Sequence, residues 1–366
     1  GDTNPLGLET RQTMAMPTIF VFSPILKVKM WGGEGLRRLF PDYSPPEKAL
    51  LGEAWLFGDL SEGATTVATG LHKGKTPREL AREFGQELTG PQIDEFLTNG
   101  FPLLFKLIDA KKRLSLQVHP NDQKAQELEE EPRGKSEAWY VLEAEPGARL
   151  FLGTKTDEPA AELLPKLESK EGEEKLGRVA ALPGHVYPVS ASTLHAIGEG
   201  ILLAEIQQSS NTTYRVHDWG RLGLDGKPRP LHLEKAIKCT ETGPWKEPPE
   251  RFPSWSDDGG LFELMALSDY FLFERITLHG RVELPTEEAG FSLLLPLTDG
   301  VTLVHEQEVH HLPPFQAVLV PACWRQICLS PTKEHSIVLR AAPLTKEESY
   351  GKWRGLSAAE ANKARF

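Results

Sequence analysis

Apolar and polar positions along this chain fall in short alternating runs, broken by 29 prolines and 32 glycines. Such punctuation favours strands and turns over long helices. Ile19 to Met30 and Ala54 to Phe57 read as strands, with WGGEGL (Trp31 to Leu36) between them as a tight glycine-bearing turn and short helix. Helical spacing predicts helices over Thr76 to Glu87 and Gln92 to Leu97, the first opened by a capping threonine with proline at the first helical position. Pro102 to Val118 carries two strands around the charged turn Asp109 to Lys112, and Asp122 to Glu130 reads as a helix. Ala138 to Leu142 and Arg149 to Leu152 read as strands, and Glu158 to Leu176 as a charged helix with a solvated acidic face. Strands return from Arg178, with turns at Pro183-Gly184 and Pro188. Gly200 to Gln208 is then a buried strand and Pro230 to Lys238 a helix.

Beyond Leu261, the runs FLFERITL, FSLLLPL, VTLVHE and AVLVPACW recur at intervals of about ten residues, the rhythm of an antiparallel sandwich or barrel. A single core stops growing at roughly 250 to 300 residues, so 366 residues predict two domains. The expected organisation is a disordered leader over 1–15, a first domain over 16–240 with helical segments near 76–100 and 157–176, a linker over 241–260 rich in Pro, Trp and Gly, and a β domain over 261–366. The fold class is mainly β.

A net charge of −11 with no dense Lys/Arg block argues against a nucleic-acid partner. Locally, Lys106, Lys111, Lys112, Arg113 and Lys135 cluster in sequence, a pattern that suits a small phosphorylated ligand. Three cysteines, Cys239, Cys323 and Cys328, give an odd count without CxxC spacing, so no disulfide framework or zinc ribbon is expected and a reducing cytoplasm suits them. The apolar stretch Thr18 to Leu26 is broken by Pro24 and is too short to span a membrane. The sequence does not set the oligomeric state.

Candidate chemistry lies in LSLQVHPND. Gln117 and His119 stand two apart in an alternating run, so on a strand both face the same way. Glu137 and His195 follow as further candidate ligands. Imidazole and carboxylate without thiolate suit zinc, iron, manganese or nickel, and zinc is the commonest catalytic choice with an open position. Each residue alone has a structural alternative: His119 opens the turn Pro120-Asn121-Asp122, Glu137 is a surface carboxylate, and His195 is a satisfied core histidine. His279, His305, His310 and His311 lack a comparable pattern and are expected to be structural or at the surface. Arg215 reads as a fixed positive charge or an ion pair with Asp218. Glu205 reads as a base if buried, or as a carboxylate orienting a ligand histidine. Lys135 suits a phosphate contact or a general acid.

LSLQVHPND (Leu114 to Asp122), GKSEAWYVL (Gly134 to Leu142) and HAIGEGILLAEIQQSSNTTYRVHDWGR (His195 to Arg221), with KVKMWGG (Lys27 to Gly33), together resemble the type I phosphomannose isomerase family in its short bacterial form. The resemblance implies a cupin-type jelly-roll barrel with helical insertions, followed by a smaller, degenerate cupin-like β domain without metal. It implies one zinc per chain, held by Gln117, His119, Glu137 and His195, and interconversion of mannose 6-phosphate and fructose 6-phosphate through an enediol. Arg215 would be the catalytic arginine and Glu205 a carboxylate near the reacting carbons. Lys106, Ser115 and Lys135 would line the substrate and phosphate pocket. Longer members continue after the last ligand with SDN and RAG-x-TPK, where this chain reads SSNTTYRVHDWGR. The same donors would also serve a cupin oxygenase or a non-catalytic sugar-binding protein, but the set Lys106, Ser115, Lys135 and Arg215 suits a phosphosugar better than an apolar oxygenase substrate.

Overall fold

The computed structural model describes residues 15–285, 290–344 and 352–366. It is built mainly of antiparallel strands in four larger sheets. A six-stranded sheet runs Val186–Val189, Glu137–Ala144, Ile201–Gln208, Leu103–Ala110, Leu51–Phe57, Ile25–Gly33. It faces a five-stranded sheet ordered Leu176–Ala180, Arg149–Thr154, His195–Ile197, Leu116–Val118, Tyr214–His217. The two enclose a jelly-roll interior of the expected cupin type.

The strand period of two explains how that interior is furnished. In Ile201–Gln208, Ile201 and Leu203 pack inward against Ile108, Val141, Leu150, Leu152 and Ile197, while Leu202, Ala204 and Ile206 face a second core shared with Phe105, Leu107, Phe271 and Phe273. Leu203 pairs with Ile108 and Val141, Glu205 with Lys106 and Trp139, and Gln207 with Glu137. The inward row is therefore apolar at one end and polar at the other. The apolar end plugs the barrel, each buried Leu or Ile contributing about 1.5–3 kcal/mol, and the polar end is left to form a site.

Helices cover the outer faces. Pro77–Phe84 begins with a capping box: the Glu79 amide donates to Thr76 Oγ1 at 3.3 Å and the Thr76 amide to Glu79 Oε2 at 3.0 Å. The helix expected to reach Glu87 ends at Phe84, because Gly85 adopts φ 57°, and Gln86–Thr89 follows as a separate turn before Ile93–Asn99. The single helix expected over Glu158 to Leu176 is not formed. Ala160–Leu163, a 3₁₀ turn Leu164–Lys166 and Lys170–Glu173 replace it. Pro165 has no amide to continue the ladder, and Ser169 opens a new turn by accepting the Gly172 amide at 3.0 Å. Leu163, Leu164 and Leu167 of this segment pack beneath the five-stranded sheet with Val118, Ala196 and Tyr214.

An eight-stranded sheet runs Ser254–Ser256, Gly260–Leu267, Phe271–Leu278, Ser336–Pro343, Ser292–Pro296, Val318–Val320, Phe20–Ser23, Thr66–Val67. A four-stranded sheet of Val282–Pro285, Gln326–Pro331, Val301–His305 and Glu308–Leu312 packs on it across a core that includes Phe262, Leu264, Leu303 and Leu329. Two departures from the expected boundaries follow. The strand expected over Ile19 to Met30 is cut at Pro24, and its first piece, Phe20–Ser23, pairs with Val318–Val320 in the sheet of the C-terminal half. The expected linker 241–260 contributes Ser254–Ser256 to that same sheet. The expected leader lies outside the described residues except for Ala15.

Candidate metal centre and active site

His119, Glu137 and His195 come together at the polar end of the barrel, each about 1 % exposed, with one ligand atom of each within 4.8 Å of the others. Strand register accounts for the meeting. In the five-stranded sheet His195 pairs with Gln117, two residues before His119, while Glu137 heads a strand of the facing six-stranded sheet, opposite Val189 and Gln207. Nε2 of His195 lies 3.3 Å and Nε2 of His119 3.7 Å from Glu137 carboxylate oxygens, and the two Nε2 atoms are 3.1 Å apart.

The ring nitrogens settle what this arrangement fits. His119 Nδ1 lies 3.0 Å from the Thr212 carbonyl and His195 Nδ1 2.8 Å from the Thr193 carbonyl. A carbonyl only accepts, so both Nδ1 atoms carry protons and, in neutral rings, both Nε2 atoms present lone pairs. Burial, then the charge of Lys135, pushes His119 down to about 3, so its ring is neutral at ordinary pH. Glu137 Oε2 is buried without a hydrogen-bond partner among the described residues. Two lone pairs and a carboxylate oxygen aimed at one point fit a divalent cation, and carbonyl-anchored imidazoles are the usual support for a metal ligand. Gln117 lines the adjoining pocket, its Oε1 accepting from Ser115 Oγ at 3.0 Å.

The pocket has a volume of about 280 Å³. On its six-stranded wall, Lys106 is buried between Glu53 at 3.0 Å and Glu205 at 3.3 Å, and Lys29 reaches Glu53 at 3.2 Å. Burial would lower Lys106, but Glu53 and Glu205 outweigh it and raise its pKa. Burial would raise Glu53, but Lys106 and Lys29 hold it well below the carboxylate range. Glu205 is pushed up to about 7 by burial and by the charge of Glu137, even though its Oε2 accepts from Trp139 Nε1 at 2.8 Å. Lys135 is lowered by burial and by neighbouring Lys106. Arg215 stands across the pocket on Tyr214–His217, donating from Nη1 to the Pro230 carbonyl at 2.9 Å.

All nine residues singled out in the sequence lie in this region: seven line the pocket, and His119 and His195 complete the cluster with the pocket-lining Glu137. The basic group expected from sequence does not assemble as a whole. Lys111 and Lys112 are exposed, and Arg113 stacks on Trp219, 3.8 Å from the ring centre. The expected alternative for Arg215, an ion pair with Asp218, is not formed, since Asp218 is taken by Arg221 and Arg229. Glu53, Lys29 and Arg229 were missed. A charged residue inside the apolar run LLGEAWLF marked Glu53; nothing local marked Arg229. His305 stacks on Trp324 with ring centres 4.0 Å apart, and His310 pairs with Glu308 at 3.0 Å, away from the cluster. The three cysteines are unpaired, and no helix among the described residues is long and apolar enough to cross a membrane.

Fold and site together define a cupin-type protein with a buried potential metal site, His119, Glu137 and His195, beside a charged pocket. A family model for the type I phosphomannose isomerase catalytic domain matches residues 19–148. Mannose-6-phosphate isomerase ManA of Bacillus subtilis is 39% identical over 224 residues, 60% of this chain and 67% of that protein. Mannose-6-phosphate isomerase of Streptococcus mutans is 35% identical over 272 residues, 74% of this chain and 82% of that protein. A crystal structure of mannose 6-phosphate isomerase from Bacillus subtilis superposes with a TM-score of 0.79 at 31% identity, covering 89% of this chain and 100% of that one. The chain belongs to the type I phosphomannose isomerase family, a family of enzymes.

Proposed function

We propose that the protein interconverts mannose 6-phosphate and fructose 6-phosphate in the cytoplasm, with one zinc ion held by His119, Glu137 and His195 and with Gln117 as a further ligand. The observation that carries this reading is the convergence of two histidine lone pairs and a carboxylate beside a pocket whose walls bear Glu205, Lys106 and Arg215. Zinc, when bound, supplies a Lewis acid that polarises the sugar oxygens at C1 and C2.

The chain's own groups supply the rest. Aldose–ketose exchange moves a proton between C1 and C2, so one group must take it and return it. Glu205, at about 7, exchanges a proton readily near neutrality, and Trp139 fixes one of its oxygens. Arg215 sets a permanent charge where negative charge develops on oxygen, a contribution of roughly 3 kcal/mol for a preorganised donor. Its Nε is buried with no acceptor among the described residues, which suits a donor reserved for substrate. Ser115 and Lys135 line the space the sugar would fill, and Lys106, clamped by two carboxylates, keeps Glu205 in place.

The test is formation of fructose 6-phosphate from mannose 6-phosphate by the purified protein, before and after chelator treatment and zinc add-back. Activity lost on chelation and restored by zinc is the expected result. No turnover at any metal loading would overturn the reading in favour of a binding protein or an oxygenase.

A further inference from the structure

A turn of the C-terminal half reaches the segment that carries Glu137. Between Gly260–Leu267 and Phe271–Leu278 the chain reverses at Ser268 to Tyr270, where the Tyr270 amide donates to Ser268 Oγ at 3.1 Å and the Tyr270 carbonyl accepts from the Leu344 amide at 2.7 Å. The Tyr270 hydroxyl hydrogen-bonds the Asp122 carboxylate. Burial, then the charge of Asp122 and this bond, raise the phenol above its ordinary value, so it stays protonated and donates.

Asp122 passes the contact on. Its Oδ1 accepts from the Gly134 amide at 2.8 Å and from Gln208 Nε2 at 3.0 Å. Gln208 is buried, its Oε1 accepting from the Ser136 amide at 2.9 Å and its own amide donating to the Ser136 carbonyl at 3.0 Å. The Lys135 amide donates to the Pro120 carbonyl at 3.0 Å. Three successive amides are thus fixed by Asp122, Pro120 and Gln208, and the next residue is Glu137. Residues 131–136 belong to no strand or helix, so bonds of this kind set where Lys135 and Glu137 stand. The backbones touch here as well: a Cβ on Gly134 would lie 2.5 Å from the Asn121 carbonyl carbon and 2.7 Å from the Asp122 nitrogen.

We propose that Tyr270 and Asp122 are positioning residues of the metal centre, the C-terminal half setting the backbone of Gly134 to Glu137 through the Tyr270–Asp122 bond. Neither residue is among those lining the pocket. The inference rests on the reading of Glu137 as a metal ligand, and it gives the second β half a part in the site.

The test measures zinc affinity by competition with a chromophoric chelator, and amide hydrogen exchange of the metal-free protein, in wild type, Tyr270→Phe, Asp122→Ala and the double variant. Tyr270→Phe keeps the ring that packs against the core and removes the donor. It is expected to weaken zinc binding about 3- to 10-fold, and Asp122→Ala about 10- to 100-fold. Exchange should quicken at Gly134 to Ser136 in both. Because Tyr270 acts through Asp122, adding Tyr270→Phe to Asp122→Ala should move neither readout further. Unchanged zinc affinity and exchange in Tyr270→Phe, or fully additive effects in the double variant, would overturn the proposal. Faster exchange confined to the Ser268 to Tyr270 turn, with zinc affinity intact, would overturn it too, since a merely local role predicts that pattern. Should Asp122→Ala fail to fold, Tyr270→Phe alone decides by the same two readouts. A wild type that binds no zinc would remove the metal reading, while exchange in the metal-free protein would still decide whether the turn holds this segment.

Discussion

Glu53 Oε1 lies 3.0 Å from Lys106 Nζ and 3.2 Å from Trp55 Nε1, so one part-buried carboxylate of the pocket wall fixes both the pocket lysine and a buried indole beside it. Lys106 in turn stands 3.3 Å from Glu205. Replacing Glu53 with Gln keeps the shape but leaves Glu205 as the sole carboxylate close to Lys106, which strengthens the pull on its charged form. The Glu205 pKa should fall, and the acidic limb of the kcat against pH profile should move to lower pH. A stopped-rate profile between pH 5 and 9 reads this directly, and an unmoved limb would show that the two carboxylates are not coupled through Lys106.

His119→Ala and Glu137→Gln should each abolish zinc binding. A ligand that binds only the folded state stabilises it by about 2.7 kcal/mol at a hundred times its Kd. Zinc should therefore raise the Tm of the wild type by several degrees, and chelator should reverse the rise. Neither variant should respond. Stoichiometric zinc by elemental analysis in either variant would remove that residue from the ligand set.

Arg215→Ala should retain zinc and fold normally, with kcat lowered on the order of a hundredfold or more. Because its side chain donates to the Pro230 carbonyl and not to Asp218, the loss is not that of a surface ion pair. Unchanged turnover with intact metal would make the arginine a loop anchor.

Much of this site was legible because the strand period projects onto sequence directly. Gln117 and His119 stand two apart in an alternating run, which puts both on one face of a strand. The run Gly200 to Gln208 reads as a buried strand, and Glu205 on it is buried in the structure. What did not project was anything set by chain crossings. Pro24 sends Phe20–Ser23 into the sheet of the C-terminal half, and that pairing with Val318–Val320 joins positions nearly 300 residues apart. Arg229 enters the pocket from an irregular loop because Asp218 holds it there, a tertiary event with no local pattern. The helix expected after Glu158 is interrupted at Pro165, a local breaker whose effect the charge pattern does not reveal.

Glu205 also makes a prediction about stability. Its folded pKa of about 7 lies above the ordinary 4.5. Between these values the folded metal-free protein holds a proton that the unfolded chain has released, so stability falls as pH rises through that window. The full difference corresponds to about 3 kcal/mol. Metal-free Glu205→Gln should match wild type near pH 4.5 and be more stable at pH 8 by up to that amount, with turnover abolished. Denaturant unfolding at the two pH values checks this, and a gap already present at pH 4.5 would mean that the substitution acts through packing instead.

The Trp139–Glu205 hydrogen bond gives the sharpest test of which group carries the proton. Trp139 Nε1 donates to Glu205 Oε2 at 2.8 Å and favours the ionised carboxylate. Trp139→Phe removes that donor while keeping an aromatic ring in a position where the indole meets His195 edge-on, 5.6 Å between centres. The Glu205 pKa should then rise, and since a base works only when ionised, the acidic limb of the rate profile should move up by about 0.5 to 1 unit. Turnover at pH 6.5 should fall more than at pH 8.5, the reverse of the Glu53→Gln shift. Opposite movements in the two variants follow only if Glu205 is the titrating base. A limb that stays fixed in both would assign the proton transfer to another group in the pocket, with Lys135, lowered by burial, the first to examine.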